Sequence, residues 1–334
     1  MGGKFNKILK VKAIALFSGG LDSILAAKVV QEQDIDVMGV VFETPFFDAL
    51  RAGKAAEIIG LPLLVINITE EYIPMLKTPR YGYGKNMNPC IDCHTMMLSL
   101  AGKKMEEIGA DFLFTGEVLG QRPMSQNKQA LHIVAKNSGY DGFILRPLSA
   151  KLLPETIPET EGKVDRGKLC DIQGRGRKRQ MEMAGEYGIT RYASPGGGCL
   201  LTDPAFSKRL RDLFDHRKDF KIRDIELLKS GRHIRIDEKT KIVVGRNRKD
   251  NAAIRNLSEE NRDIVIEMKH FPGPVALAPC GCDDETLDRA ASICALYSDA
   301  PDSEEVIAEC RMAMEVKLIS TKAAKREDVK KLII

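Results

Sequence analysis

The chain begins as an exchange between short apolar runs and longer stretches of helical period. Residues 11–17 (Val-Lys-Ala-Ile-Ala-Leu-Phe) are apolar at all but one position and read as a buried strand. A Ser/Gly turn follows at once, and residues 24–33 then carry apolar side chains at helical spacing. A second apolar run at 37–42, a helical stretch around 49–59 and a third run at 63–68 complete a βαβαβ alternation. Such alternation implies a parallel sheet covered by helices on both faces. Tyr, Gly, Pro and Asn crowd residues 78–89, which reads as loop; a helix to residue 108 and a short buried strand at 111–115 come next. The expected first domain is α/β with a doubly wound parallel sheet, spanning residues 11–203 behind an N-terminal tail of residues 1–10.

From 151 to 198 the pattern loosens. Pro154, Pro158 and several glycines surround the run Gly174-Arg175-Gly176-Arg177-Lys178-Arg179, so a flexible, basic, RNA-facing segment is expected there. Helical period returns at 206–214, and strands are expected at 232–236 and 241–244. A smaller α+β domain therefore begins near Pro204 and spans 204–334. No internal repeat or low-complexity tract is evident.

The turn between the first strand and helix is Ser18-Gly19-Gly20-Leu21-Asp22-Ser23. Two glycines at a strand-to-helix junction let backbone amides approach a phosphate at a helix N-terminus. The hydroxyls of Ser18 and Ser23 add donors, and Asp22 is placed to cap the helix or to help hold Mg²⁺. No lysine follows the glycines, which separates the turn from a Walker A loop. An ordinary glycine turn capped by serine is the plainer alternative.

This string resembles the signature of the PP-loop ATP pyrophosphatases, whose fold is of the adenine nucleotide alpha-hydrolase type. The resemblance implies ATP cleavage between the α and β phosphates and an adenylated intermediate. Phe114-Thr115-Gly116-Glu117-Val118-Leu119-Gly120-Gln121 with Ser125-Gln126, and Leu145-Arg146-Pro147-Leu148 after it, are similar to elements of the tRNA thiouridine synthetase (ThiI-like) branch. By that resemblance Gly116 lies against the nucleotide, Gln121 and Arg122 near the reacting phosphates, and Phe42 near the adenine; Asp22 and Gln121 join the catalytic set. The branch's THUMP-type RNA-binding domain and rhodanese-type domain are not expected in this chain.

Eight cysteines in a chain without a secretory signal point to free thiols, metal or cluster ligands, or catalytic groups. Asn88-Pro89-Cys90-Ile91-Asp92-Cys93 reads as a helix start, with Asn88 as cap and Pro89 at the first helical position. Cys90 and Cys93 then share one face at the positive end of the helix dipole, which favours thiolates. Cys199 ends the string Ser194-Pro195-Gly196-Gly197-Gly198-Cys199, whose glycines clear space around a thiol. The two-plus-one set Cys90, Cys93 and Cys199 resembles cluster-dependent tRNA thiolases of the PP-loop superfamily, which implies three thiolate ligands to a [4Fe-4S] cluster. Persulfide chemistry at the same thiols, or a zinc site, are the alternatives. Cys170, Cys294 and Cys310 read as ordinary thiols, Cys280 and Cys282 as structural, and His94 is the one histidine of interest.

Net charge changes the picture only locally: +4 over 334 residues is mild, so any polyanion site must come from clustering. Basic residues gather at Lys208, Arg209, Arg211, Arg217, Lys218, Lys221 and Arg223, and at Arg232, Arg235, Lys241, Arg246, Arg248 and Lys249. They suit phosphate contacts with an RNA, or simply a solvated charged face. Ile242-Val243-Val244-Gly245-Arg246-Asn247 with Asn251 resembles the VGRN element of the NFACT-R family, which is linked to RNA binding. The expectation is a cytoplasmic tRNA sulfurtransferase using ATP, Mg²⁺ and a [4Fe-4S] cluster, with tRNA and a sulfide or persulfide donor as partners and no membrane. A homodimer is one open assembly. Its rivals are a PP-loop sulfur transferase or amidotransferase for a small molecule, and a nucleotide-sensing RNA-binding adaptor.

Overall fold

The computed structural model describes residues 10–192 and 198–334 and divides the chain into two compact units, Met1–Thr202 and Asp203–Ile334. In the first unit, β1 (Lys12–Leu16), α1 (Leu21–Gln31), β2 (Asp36–Glu43), α2 (Leu50–Ile59) and β3 (Leu63–Asn67) follow the expected alternation. Next come α3 (Thr69–Lys77), α4 (Cys90–Ile108), β4 (Phe112–Thr115), α5 (Lys128–Ser138) and β5 (Ile144–Leu145). The five strands are parallel in the order β3-β2-β1-β4-β5. Strand β1 is central and buried on both faces, with Ile14 and Ala15 nearly inaccessible, which is why its sequence is a continuous apolar run and not an alternating one. Because the chain leaves β1 for β2 on one side and returns to β4 on the other, a crevice opens at the carboxyl ends of β1 and β4. Crevices at such reversals are where open α/β sheets bind ligands.

The stretch after β5 departs from expectation. Two short helices, α6 (Ile157–Thr160) and α7 (Lys178–Glu186), are joined by turns that carry Val164, Leu169, Cys170 and Ile172 into the core of the first unit, to which α7 adds Ala184 and the residues after it Ile189. Arg166 fastens those turns by donating to the carbonyls of Ala150 (2.8 Å) and Leu153 (2.9 Å). Pro158 stands in the first turn of α6, and Gly162 and Gly174 take positive φ in the bends between buried residues. Ser194, Pro195, Gly196 and Gly197 lie outside the described residues.

The second unit contains α8 (Pro204–His216), α9 (Ile222–Leu227), β6 (Arg232–Arg235), β7 (Lys241–Val244), α10 (Arg248–Leu257), β8 (Ile264–Met268), β9 (Ala276–Ala278), α11 (Asp284–Leu296), β10 (Val306–Met312), β11 (Glu315–Thr321) and α12 (Arg326–Leu332). Its six strands pair antiparallel in the order β11-β10-β8-β9-β7-β6. Helix α11 contributes Leu287, Ala290, Ala291 and Cys294 to the core under this sheet. No helix among the described residues is long and apolar enough to cross a membrane.

Candidate active site

The turn after β1 folds back on itself: the Ser23 hydroxyl donates to the Gly20 carbonyl (2.8 Å), and the Gly20 amide points to the Ser18 hydroxyl (3.4 Å). Asp22 does not cap α1; Gly20 is the capping residue and no side chain serves. The two glycines have different tasks. Gly19 has φ +71°, and a Cβ there would lie 2.5 Å from the Arg51 carbonyl oxygen, so it lets the turn press against the start of α2. A Cβ on Gly20 would meet only the Ser18 Oγ, at 3.5 Å, an ordinary contact. Gly19→Ala is therefore expected to cost the first unit roughly 2 kcal/mol or more. Gly20→Ala should melt as the wild type while binding ATP at least about tenfold more weakly, because only the approach of a phosphate is obstructed. Thermal melts beside ATP titrations separate the two.

Gly116 closes the crevice from the β4 side. A Cβ there would lie 2.5 Å from the Ser23 amide nitrogen, so the residue after Thr115 must be glycine for β4 to lie against the first turn of α1. The next residue, Glu117, is the centre of a buried network that the motif gave no reason to expect. Its carboxylate accepts from Arg146 Nε (3.0 Å) and Thr115 Oγ1 (3.1 Å) and pairs with His94 Nδ1 (3.0 Å). Burial alone would raise its pKa, but Arg146 and His94 outweigh that and hold it down at about 2. Arg146 also donates to the Leu131 carbonyl (3.3 Å), which ties α5 to the network. Phe42 is buried near the carboxyl end of β2, Gln121 is half-buried and Arg122 exposed, in the turns after Leu119.

Helix α4 begins at Cys90 with Pro89 as its cap, one residue later than expected. Asn88 is not the cap; its side-chain amide donates to the Cys90 sulfur (3.2 Å). Cys93 lies one turn on, and its amide donates to the Pro89 carbonyl (2.8 Å). Cys199 reaches the same place from far along the sequence: the Leu200 amide donates to the Phe46 carbonyl (2.9 Å), and Asn86 donates to the Thr202 carbonyl (2.7 Å). Cys93 feels the charge of Cys199 and Cys90, and Cys199 that of Cys90, which places the three sulfurs in one neighbourhood. Burial pushes the Cys93 thiol well up; the Tyr72 hydroxyl opposes this, and Cys199 and Cys90 reinforce it. Cys199 is pushed up to about 11 by burial, despite backbone donors at Leu201 and the positive charge of Arg122. Tyr72, packed edge-on to Phe47 and tilted against Phe46, is 1% exposed, and its hydroxyl has no hydrogen bond of ordinary geometry.

Three partly buried thiols that would repel one another as thiolates suit a cationic group shared among them. Among the described residues no group of three or more His, Cys, Asp or Glu converges tightly enough for one metal ion. The donor set thus does not match the four close ligands of structural zinc. The Asp22 Oδ1 is buried without a partner, as a carboxylate that takes a cation would be.

In the second unit the basic run is largely occupied. Arg235 and Lys241 pair with Asp212, Arg223 with Asp263, and Arg246 with Asp250, while Arg209 donates to the Leu228 carbonyl. The Gly245-Arg246-Asn247 turn with Asn251 is architectural: Asn247 caps α10, and the Asn251 side chain bonds Val275 N (3.1 Å) and Gly273 O (3.3 Å). Lys208, Arg211, Lys218, Arg248 and Lys249 remain exposed. Cys280 is exposed and accepts from Arg217 and from Arg262 Nε (2.9 Å), whereas Cys282 packs against the core.

A five-stranded parallel sheet with a glycine turn at its reversal point, and a separate unit with a six-stranded antiparallel sheet, define a two-part α/β protein. Residues 9–152 match the family model described as thiamine biosynthesis protein (ThiI), and residues 231–333 match that of the NFACT protein RNA binding domain. Over 124 residues the chain is 35% identical to the tRNA-specific 2-thiouridylase MnmA of Clostridium acetobutylicum, covering 31% of this chain and 35% of that protein. Over 127 residues it is 29% identical to MnmA 1 of Clostridium tetani, covering 33% and 35%. The chain thus spans about a third of the length of these curated relatives. Among solved structures, a predicted subunit of tRNA methyltransferase from Methanocaldococcus jannaschii is 16% identical, covering 41% of this chain and 67% of that one, at a TM-score of 0.32.

Proposed function

We propose that the protein is an ATP-dependent tRNA sulfurtransferase. The observation that carries this reading is a short run of contacts joining the phosphate loop to the thiols. Gly116 abuts Ser23, Glu117 beside it holds His94, and His94 adjoins Cys93. A base whose oxygen is activated at the loop therefore has a sulfur site within the same unit. The likeness of residues 9–152 to ThiI and of a third of the chain to 2-thiouridylases supports the choice of tRNA, as does the match of residues 231–333 to an RNA-binding domain.

In the proposed reaction the amides and hydroxyls of Ser18 to Ser23 hold the triphosphate, and Asp22 would help hold Mg²⁺, which when bound offsets phosphate charge. A uridine carbonyl oxygen attacks the α-phosphorus and pyrophosphate leaves. Hydrosulfide then adds to the activated carbon and AMP departs with the oxygen; if the nucleophile is instead a cysteine persulfide, its outer sulfur adds, AMP departs, and a second cysteine thiolate cleaves the S–S bond, leaving an enzyme disulfide that an external thiol reduces. Gln121 and Arg122 border the reacting phosphates in this reading, and positioning with charge stabilisation supplies most of the rate. Cys90, Cys93 and Cys199 would hold a [4Fe-4S] cluster, which when bound supplies an iron without a protein ligand as a coordination position for sulfide.

The test is anaerobically purified protein given ATP, Mg²⁺, sulfide and unmodified tRNA. Pyrophosphate release that requires tRNA, together with a thiolated nucleoside in the digest, is the expected result. ATP turnover indifferent to tRNA would transfer the assignment to a small-molecule substrate; tRNA binding without pyrophosphate release would make the protein an adaptor. Iron near four per chain, lost in each cysteine variant, separates the cluster from persulfide chemistry.

A further inference from the structure

The two edges of the second unit's sheet are finished differently. In the order β11-β10-β8-β9-β7-β6, strands β11 and β6 lie outermost. At the β6 edge the end of the chain closes the ladder: Ile333 bridges Ile234, and the Ile334 amide donates to the His233 carbonyl (3.0 Å). Strand β11 pairs with β10 along its whole length, Glu315 to Thr321, and with no other strand among the described residues. It contains no proline, and no bulge interrupts its register with β10. Its one basic residue, Lys317, is turned to the side of α11 and paired with Asp284 (2.6 Å), so that charge does not guard the edge. An edge left in this way is a template for another strand.

The outer face of the same strand is apolar. Ile319 enters the core, so by alternation Val316, Leu318 and Ser320 lie on the opposite face. There Val316 is 56% and Leu318 51% exposed, and Ile307, opposite Ser320 on β10, is exposed beside them.

Strand β11 is also complementary to itself. When it is set antiparallel to a second copy about a two-fold axis at Leu318, the whole strand pairs. Leu318 then meets Leu318 of the second copy, Val316 meets Ser320, Lys317 meets Ile319 and Glu315 meets Thr321. No like charges stand opposite one another, and Val316, Leu318 and Ile307 of both copies run together on one face. An axis at Lys317 would set that lysine against itself, and one at Val316 would pair only residues 315–317 of the strand. A slip that exchanges the faces would bring Ile319 out of the core side.

We infer that β11 is a dimerisation edge, occupied by β11 of a second copy of this chain in the antiparallel register centred on Leu318. The contact is isologous and closes on itself, so the open ladder ends there and is not passed to a third copy. This inference is independent of the reaction proposed above.

The test is the mass of the full chain by sedimentation velocity over a range of concentrations, with thermal melts beside it. Wild type is expected at twice the chain mass. Leu318→Glu changes a side chain that is half exposed in the single chain and should melt as wild type. It sets two carboxylates against each other on the axis, so the dimer dissociation constant should rise at least about 100-fold. Directly opposed residues of antiparallel strands lie about 4.5–5.5 Å apart at Cα, a span that a disulfide bridges. Leu318→Cys treated with diamide should therefore give a covalent dimer, reversed by reductant, in clear excess over wild type. Val316→Cys should not, because its two copies would stand on the order of 13 Å apart along the strands. A wild type that stays monomeric at every concentration overturns the inference. So does a dimer that Leu318→Glu leaves intact, or cross-linking as strong through Val316→Cys as through Leu318→Cys.

Discussion

Glu117→Gln is expected to remove most of the stability of the first unit. The substitution is nearly isosteric, but it takes one charge from a network in which Glu117 and Arg146 are each about 8% exposed in their side chains. Arg146 would keep its Leu131 carbonyl and lose its carboxylate. An uncompensated buried guanidinium costs about 3–5 kcal/mol, a large share of the roughly 5–15 kcal/mol that holds a domain folded. Urea unfolding of the full chain, followed by a probe in each unit, should find the first unit's transition shifted by that amount and the second unit's unmoved. Arg146→Met added to Glu117→Gln should recover part of the loss, because it removes the guanidinium that the first substitution strands. A Glu117→Gln protein as stable as wild type would mean that the pair contributes little.

The same carboxylate sets an acid limit. Glu117 is held at about 2, below the 4.5 of an unstrained glutamate, so the unfolded chain takes up a proton at higher pH than the folded one. Its contribution is complete above pH 4.5 and is lost as the pH falls from there through 2. At about 1.4 kcal/mol per pH unit, that window is worth on the order of 3 kcal/mol. Stability of the first unit plotted against pH should fall more steeply between 4.5 and 2 in the wild type than in Glu117→Gln. Parallel curves would place the acid sensitivity elsewhere.

The parallel sheet was legible because buried strands and amphipathic helices alternate, each with its own period. The turn from Ser18 to Ser23 was legible as a strand-to-helix junction because two glycines between serines directly follow a buried apolar run and open a helix. Other features rest on contacts that no local pattern encodes. Glu117 and Arg146 stood inside recognised motifs, yet their pairing with His94 depends on how α4 and β4 sit together. Arg177 read as one of a basic run because composition cannot tell an arginine turned inward from one in solvent. Much of the second unit's sheet was missed: β9 has only three residues, and β11 carries Val316 and Leu318 exposed, which hides the alternation that strands normally display. The basic stretch around Arg223 and Arg235 looked like a nucleic-acid surface, although its acids, Asp212 and Asp263, come from other elements and neutralise it.

Cys199→Ala is expected to separate the two half-reactions. Cys199 is pinned near Cys90 and Cys93 by Leu200, Thr202 and Asn86, whereas the turn from Ser18 to Ser23 is built from its own hydrogen bonds and from Gly116. Replacing one thiol by a methyl leaves those backbone bonds in place, so ATP binding and tRNA-dependent pyrophosphate release should stay within about threefold of wild type. Formation of the thiolated nucleoside should fall at least about 100-fold, the scale on which loss of a covalent or metal-binding group is felt. Quantifying pyrophosphate and thionucleoside in the same reaction tests this directly. Loss of both to the same degree would place Cys199 in adenylation or folding, and full thiolation would remove it from the sulfur site. Cys199→Ser distinguishes the remaining routes: a hydroxyl restores the volume and polarity of the thiol but can neither carry a persulfide sulfur nor match thiolate as an iron ligand. A serine variant as inactive as alanine would therefore assign the defect to sulfur chemistry and not to packing.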